Sequence, residues 1–105
     1  MTGLFKKIPI IVRFYTNEIE VIRLDKNLKL RRIAKYKFST ERLIIADFNN
    51  AEKLLSSMVK EILGNKRLFS PTLIMIIQQM VEFPDGISEI EKRAYRDLAE
   101  HAGAI

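Results

Sequence analysis

The chain has 105 residues, of which 48% are hydrophobic and 30% are charged, and its formal net charge is +5. This length suits one domain, and the composition excludes a disordered or a collagen-like chain. With no cysteine and one histidine, disulfides, thiolate catalysis and zinc–thiolate or histidine-rich metal sites are excluded. No apolar run approaches the ~20 residues of a membrane-spanning helix and no secretory signal is evident, so we expect a cytoplasmic protein.

The first half of the chain predicts an antiparallel meander of three strands. Apolar residues alternate over residues 8–15, and we predict further strands over 19–24 and 28–38. The segments 16–18 and 25–27 carry turn-forming Asn, Asp and Thr and are short enough to join antiparallel neighbours. The alternation predicts one apolar face for the first strand, formed by Ile8, Ile10, Val12 and Phe14.

Beyond residue 45 the apolar spacing becomes helical. Asn49 or Asn50 is predicted to cap the first helix, because its side chain can accept a hydrogen bond from free backbone N–H groups. Gly64 is predicted to end that helix. The apolar run Leu73–Met80 is typical of a strand that is buried on both faces, as in parallel pairing.

A second helix is predicted to begin with a capping box between Ser88 and Glu91 and to end at Gly103. Its spacing predicts an apolar face formed by Ile90, Ala94, Leu98 and Ala102. The element order is therefore βββαβα. We predict an α/β fold (an α+β mixed sheet) with two helices and a single domain over residues 1–105, of which residues 1–7 are expected to be flexible.

Several segments of the second half resemble the bacterial actin-like rod-shape-determining family (MreB type). Residues 41–48 read E-R-L-I-I-A-D-F, similar to R-D-G-V-I-A-D-Y/F of that family. Residues 84–94 read P-D-G-I-S-E-I-E-K-R-A, similar to V-P-x-G-I-T-x-V-E-R/K-R-A, and residues 102–104 repeat its A-G-A. The resemblance implies an actin-like or ribonuclease-H-like half domain with sheet order 3-2-1-4, truncated to half of the first lobe.

The hairpin that carries the phosphate loop in this family departs from its pattern. Where the family has D-x-G-T, residues 13–16 read R-F-Y-T, so Arg13 replaces the acid and Tyr15 replaces the glycine. A magnesium-binding carboxylate is thus lost, and a bulky ring obstructs close approach of the backbone to phosphate. The sequence that builds the second lobe has no counterpart here. We therefore expect no enzymatic activity and no cofactor.

A basic cluster surrounds the predicted third strand. Residues 1–45 carry eleven Lys or Arg against four acids, a net charge of +7. The cluster is typical of a nucleic-acid surface, with Tyr36 or Phe38 available for stacking, or of an edge strand whose lysines discourage aggregation. An acidic protein or a lipid is a further alternative. The basic patch that we predict consists of Arg23, Lys29, Arg31, Lys35 and Lys37.

The fourth strand is predicted to form the other edge of the sheet. In the actin-like fold a fifth strand covers this edge, and the present sequence has no such strand. A second copy is expected to add its own strand here and form a dimer, and an actin-like cytoskeletal protein is the alternative partner. In a further alternative, Gln78 and Gln79 make the edge tolerable in water. The predicted self-association edge consists of Leu73, Ile74, Met75, Ile76, Ile77, Gln78 and Gln79.

The N-terminus offers a weak lipid contact through Leu4, Phe5 and Ile8 with two lysines beside them. This contact would place a cytoplasmic protein at the inner face of the membrane, and a flexible terminus is the alternative. Asp47 is predicted to be a turn or capping residue, and His101 to lie near a helix C-terminus. We expect a non-catalytic interaction or self-assembling module that resembles part of a cell-shape protein, with a small nucleic-acid-binding protein as the alternative.

Overall fold

The fold is one mixed sheet with two helices, and the computed structural model describes residues 7–64 and 72–104. Within these residues the sheet has the order β3-β2-β1-β4. The β1–β2 and β2–β3 pairs are antiparallel and the β1–β4 pair is parallel. The predicted α+β class, the βββαβα order and the sheet order are therefore confirmed. The bounds are β1 Lys7–Tyr15, β2 Glu18–Arg23, β3 Leu28–Ile33, α1 Phe48–Leu63, β4 Thr72–Gln79 and α2 Glu89–His101.

The strand β3 is shorter than predicted, because the chain leaves the sheet after Ile33. The side-chain oxygen Oδ1 of Asn17 accepts hydrogen bonds from the backbone N–H groups of Phe38 and Ser39, both at 2.8 Å. These bonds draw the chain across the end of the β1–β2 hairpin and bury Phe38, which is 1% exposed. Lys35 therefore lies in a bend outside the sheet and not on an extended strand.

The core lies on one face of the sheet. The predicted apolar face of β1 is confirmed, since its side chains are at most 4% exposed. Both described helices pack on that face: α1 contributes Leu55 and Met58, and the Tyr95 ring of α2 lies 5.0 Å from the Phe14 ring of β1. The opposite face of the sheet has no helix over it among the described residues, and it is called the open face below.

The helix boundaries follow from local capping. Asp47, and not Asn49 or Asn50, caps α1: its Oδ1 accepts a hydrogen bond from the Asn50 backbone N–H at 3.0 Å. A carboxylate also suits the partial positive charge of a helix N-terminus. The prediction of Asp47 as a turn or capping residue is confirmed, and so is the end of the helix at Gly64, where φ is 88°.

The capping box of α2 is confirmed, and so are Ala94, Leu98 and Ala102 of its predicted apolar face, whereas Ile90 is not part of the core. Ser88 Oγ accepts from the Glu91 N–H, and the Glu91 carboxylate accepts from the Ser88 N–H. Because this box turns Glu91 inwards, the buried face holds Glu91, Tyr95 and Leu98. Ile90, which was predicted to line the core, is 83% exposed.

The prediction that β4 is buried on both faces is wrong. Leu73 is buried, but Ile74 is 44% exposed and Ile76 is 53% exposed. The two described helices share one face of the sheet, so the side chains of β4 that point to the open face lack a covering layer. Parallel pairing with β1, which the apolar run also predicted, is confirmed.

Candidate functional site

The candidate site is the outer edge of β4, where one side of the strand lacks a neighbouring strand within the described residues. The Met80 N–H donates to the Phe14 carbonyl at 2.9 Å, so the backbone groups of Met80 point towards β1. Backbone groups of successive residues in a strand point to alternate sides. The N–H and C=O groups of Leu73, Met75, Ile77 and Gln79 therefore point outwards, away from β1.

The C-terminal tail of the same chain covers one end of this edge. Ala104 forms an isolated parallel bridge with Leu73. Gly103 permits this approach because its φ is 109° and a Cβ atom there would lie only 3.2 Å from Leu73 Cδ1. Part of the predicted self-association edge is thus occupied from within, and no described residue pairs with the outward backbone groups of Met75, Ile77 and Gln79 beyond the bridge.

The Gln79 side chain is engaged on the helix side of the sheet. Its Oε1 accepts a hydrogen bond from the Tyr95 hydroxyl, and its Nε2 donates to the Val81 carbonyl at 3.0 Å. Burial raises the pKa of the Tyr95 hydroxyl, and the nearby Glu91 carboxylate raises it further. The Gln79 side chain therefore anchors the end of β4, and only its backbone is free to pair outwards.

An apolar strip runs from this edge across the open face. The β-sheet register places Ile74 beside Pro9, and Ile76 beside Ile11, which is itself opposite Ile22. Side chains at paired positions of adjacent strands lie on the same face and in contact range. The exposed side chains of Ile74 and Ile76 are therefore the outer end of a continuous apolar strip, next to the free backbone groups of β4.

A polar row crosses the open face beside the apolar strip. Arg13 Nε donates to Gln78 Oε1 at 2.8 Å, and Arg13 Nη1 lies 3.3 Å from Glu20 Oε1. Glu20 is 5% exposed, and Lys29 Nζ lies 4.0 Å from its other oxygen. Arg13 thus pairs with a buried carboxylate and with the Gln78 side chain of β4.

The predicted basic patch is divided between the two faces of the sheet. Arg23 is 5% exposed on the helix side, where its guanidinium binds Asp25 at 2.8 and 3.2 Å and donates to the Ile62 carbonyl at 3.3 Å. A cation at this carbonyl suits the negative end of α1. Arg23 therefore holds α1 against β2 and is not available to a nucleic acid.

The remaining basic residues of the predicted patch differ in whether an acidic side chain pairs with their charge. On the open face, Arg31 binds Glu18 at 2.7 Å and stacks 4.1 Å from the centre of the Tyr15 ring. Lys35 and Lys37 are exposed in the segment after β3. Next to them Tyr36 is 66% exposed and borders a groove of about 220 Å³ that Lys35 and Lys53 also line.

The described acidic residues do not form a cluster that could hold a metal ion. No group of three His, Asp or Glu residues that could hold a metal ion occurs within residues 7–64 and 72–104. Glu91 is buried in its capping box, and its Oε2 has no hydrogen-bond partner in the described structure. His101 binds Glu52 of α1 and packs edge-on against Phe48. These acids and the histidine therefore cap and join helices.

The predicted lipid contact falls partly outside the described residues. Leu4, Phe5 and Lys6 lie outside them, as does most of the terminus predicted to be flexible. Lys7 is the first residue of β1, and Ile8 is 4% exposed within the core and so cannot insert into lipid. Among the described helices none is long and apolar enough to cross a membrane.

No family model and no curated protein matches the chain. The strand order that the resemblance implies is present. Strand order alone belongs to more than one family of proteins, so membership of the actin-like family stays a prediction.

Proposed function

We propose that the chain is a non-catalytic module that self-associates by pairing the free edge of β4 with the same edge of a second copy. The observation that carries this proposal is the row of outward backbone groups at Met75, Ile77 and Gln79. This row lies directly beside the exposed side chains of Ile74 and Ile76. Backbone pairing and burial of apolar surface thus become available at the same place.

The two edges of the sheet differ in a way that favours β4 as the interface. Natural edge strands are commonly protected from pairing by charged side chains, especially lysine. The edge strand β3 carries Lys29, Arg31 and Arg32, whereas β4 contains no charged residue. A backbone group that is desolvated without a partner costs about 1–3 kcal/mol. A contact that excludes water from the apolar strip also desolvates the backbone groups beside it. Such a contact is therefore more favourable when β4 is paired with another strand than when it is unpaired.

A second copy is the occupant that this edge fits best. Pairing of β4 with β4 joins two uncharged strands, so no like charges meet. A two-fold arrangement uses the same surface on both copies and closes after two subunits. Pairing of β4 with β3 of another copy would instead join the uncharged β4 to a strand that carries Lys29, Arg31 and Arg32, and would leave a free edge at each end.

The test is sedimentation equilibrium of two matched variants. Ile76→Lys places a charge on the open face beside the paired edge, and we expect it to convert a dimer into a monomer. Ile33→Lys is the control, because Ile33 is 76% exposed on β3 at the other edge of the same sheet. A dimer that survives Ile76→Lys but is lost in Ile33→Lys would place the interface at β3 and overturn the proposal.

The resemblance predicts an actin-like cytoskeletal protein as another occupant of the same edge. A chain that is monomeric in the centrifuge, yet pellets with purified actin-like filaments and loses this binding in Ile76→Lys, would replace the second copy by that partner. A chain that stays monomeric and does not pellet with the filaments would reject both occupants.

A second candidate function is binding of single-stranded nucleic acid near Tyr36. The observation that favours it is the exposed Tyr36 ring beside Lys35 and Lys53, since single strands bind by stacking on aromatic rings between cations. We expect Tyr36→Ala to weaken binding of a mixed oligonucleotide by about 1–3 kcal/mol. Lys60→Ala, on an exposed part of α1, is the control. Binding that is absent at low salt, or that is equal in both variants, would reject this function.

A further inference from the structure

We infer that the bridge between Ala104 and Leu73 fixes the register of the β4–β4 pair, so that the two-fold axis passes beside Ile77. This inference rests on the proposed self-association and adds to it which residues face each other. The bridge occupies the outward side of Leu73. The outward groups that remain in β4 belong to Met75, Ile77 and Gln79, and Ile77 is the middle one.

Antiparallel pairing about Ile77 uses each of these free groups. Ile77 then faces Ile77 of the second copy, while Met75 faces Gln79 in both halves of the dimer. All these positions have outward backbone groups, so each pair exchanges hydrogen bonds. Gln79, the last residue of β4 in the second copy, faces Met75, and the following Met80 faces Ile74, so neither reaches the bridged Leu73.

The two neighbouring registers of the β4–β4 pair are each less favourable than the one with its axis beside Ile77. A two-fold axis beside Ile76 would pair Gln79 of the second copy with Leu73, where Ala104 already lies. An axis beside Gln78 would pair Ile77 with Gln79 and would leave the outward groups of Met75 unpaired. The C-terminal tail thus excludes the register with its axis beside Ile76, and the length of β4 disfavours the register with its axis beside Gln78.

The same register joins the apolar strips of the two copies. On the open face, Ile76 faces Gln78 of the second copy and Ile74 faces Met80, which is 44% exposed. These are non-hydrogen-bonded pairs, in which side chains of antiparallel strands lie closest together. The apolar strip of each copy therefore continues onto the second copy across the new strand pair.

Cysteine cross-linking tests the register directly, because the chain contains no cysteine of its own. In the proposed register, Ile76 and Gln78 of the second copy are opposed with a Cα–Cα distance of about 4.5 Å. A disulfide spans about 4.4–6.8 Å between Cα atoms. Equal positions, such as two copies of residue 76, are diagonal neighbours about 7–8 Å apart. These equal positions are outside disulfide range.

The experiment uses Ile76→Cys and Gln78→Cys chains, one of them carrying a mass tag, oxidised separately and then as a mixture. We expect disulfide-linked heterodimers to form in the mixture. Neither variant should form a disulfide-linked dimer when it is oxidised by itself. Ile33→Cys, at the opposite edge, is the control and should not link. Circular dichroism checks that each variant is folded.

The other outcomes each overturn a defined part of the account. Linking of Ile76→Cys alone would place the axis beside Ile76, and linking of Gln78→Cys alone would place it beside Gln78. Either result rejects the register while the dimer itself stands. A wild-type chain that is monomeric in sedimentation equilibrium, with links in none of the samples, would reject the self-association on which the register rests.

Discussion

Whether a strand residue of this chain is buried or exposed depends on the face of the sheet to which its side chain points. The predicted basic patch includes Arg23 because it is close in sequence to the basic residues of β3. Its alternation with Ile19 and Val21 predicts instead that it shares their buried face, as observed. The charge count along the chain was therefore misleading here, and the period-2 pattern was the informative signal.

His101 gives a pH dependence that is specific to the contact between α2 and α1. The hydrogen bond to Glu52 raises the pKa of His101 above its ordinary value of 6.5, and the charges of Glu52, Asp97 and Glu100 raise it further. A pKa that is higher in the folded chain means that protonated His101 favours folding. This contribution is complete below about pH 6.5 and is lost as the pH rises through the folded pKa.

The prediction is a Tm difference between the wild type and His101→Gln that is largest below pH 6.5 and shrinks as the pH rises. Because the chain has one histidine, the difference between these two proteins isolates that group. Glu52→Gln is a second variant, in which the same pH dependence should be reduced. A Tm difference that grows with pH would contradict the assigned sign.

At the scale of the elements, the sequence predicted the order of helices and strands because each has a strong periodicity and clear turn or cap signals. It did not predict the exposure of β4, since an apolar run does not reveal that both helices will pack on the same face. Of the predicted apolar face of α2, only Ile90 was wrong, because the capping box turns the neighbouring Glu91 inwards and leaves Ile90 exposed.

The bridge of the C-terminal tail to β4 was also missed, because the residues 102–104 carry no strand pattern. The only local signal was Gly103, which was interpreted as the end of a helix. Its φ of 109° and its contact with Leu73 show a second role, which is to let the tail approach the strand. Such a contact depends on the three-dimensional packing of α2 and is not encoded in local periodicity.

Gly103→Ala tests this role of the glycine. We expect it to destabilise the chain by about 1–3 kcal/mol, since a side chain is strained at this φ and its Cβ would press on Leu73. Gly86→Ala is the matched control: its φ is 72°, yet its Cβ would meet nothing within 4 Å. The measurement is urea unfolding, with the midpoint compared at equal slope. Equal losses in the two variants would show that the contact with Leu73 contributes nothing.

At the scale of the whole molecule, the two faces of the sheet differ from each other, and so do its two edges. One face holds the helices and the core, while the open face joins an apolar strip to a polar row. One edge is charged at β3, and the other is an uncharged strand that the described part of the tail covers at Leu73. The proposed self-association through β4 would use the rest of that edge and the end of the apolar strip together.

Multi-angle light scattering of the wild-type chain over a range of concentrations tests this account most directly. We predict a mass that rises with concentration and reaches twice the chain mass of 12.2 kDa, without further growth, because a two-fold strand pair closes on itself. A mass that stays at that of one chain at the highest concentration would contradict the account, as would a mass that grows beyond two chains.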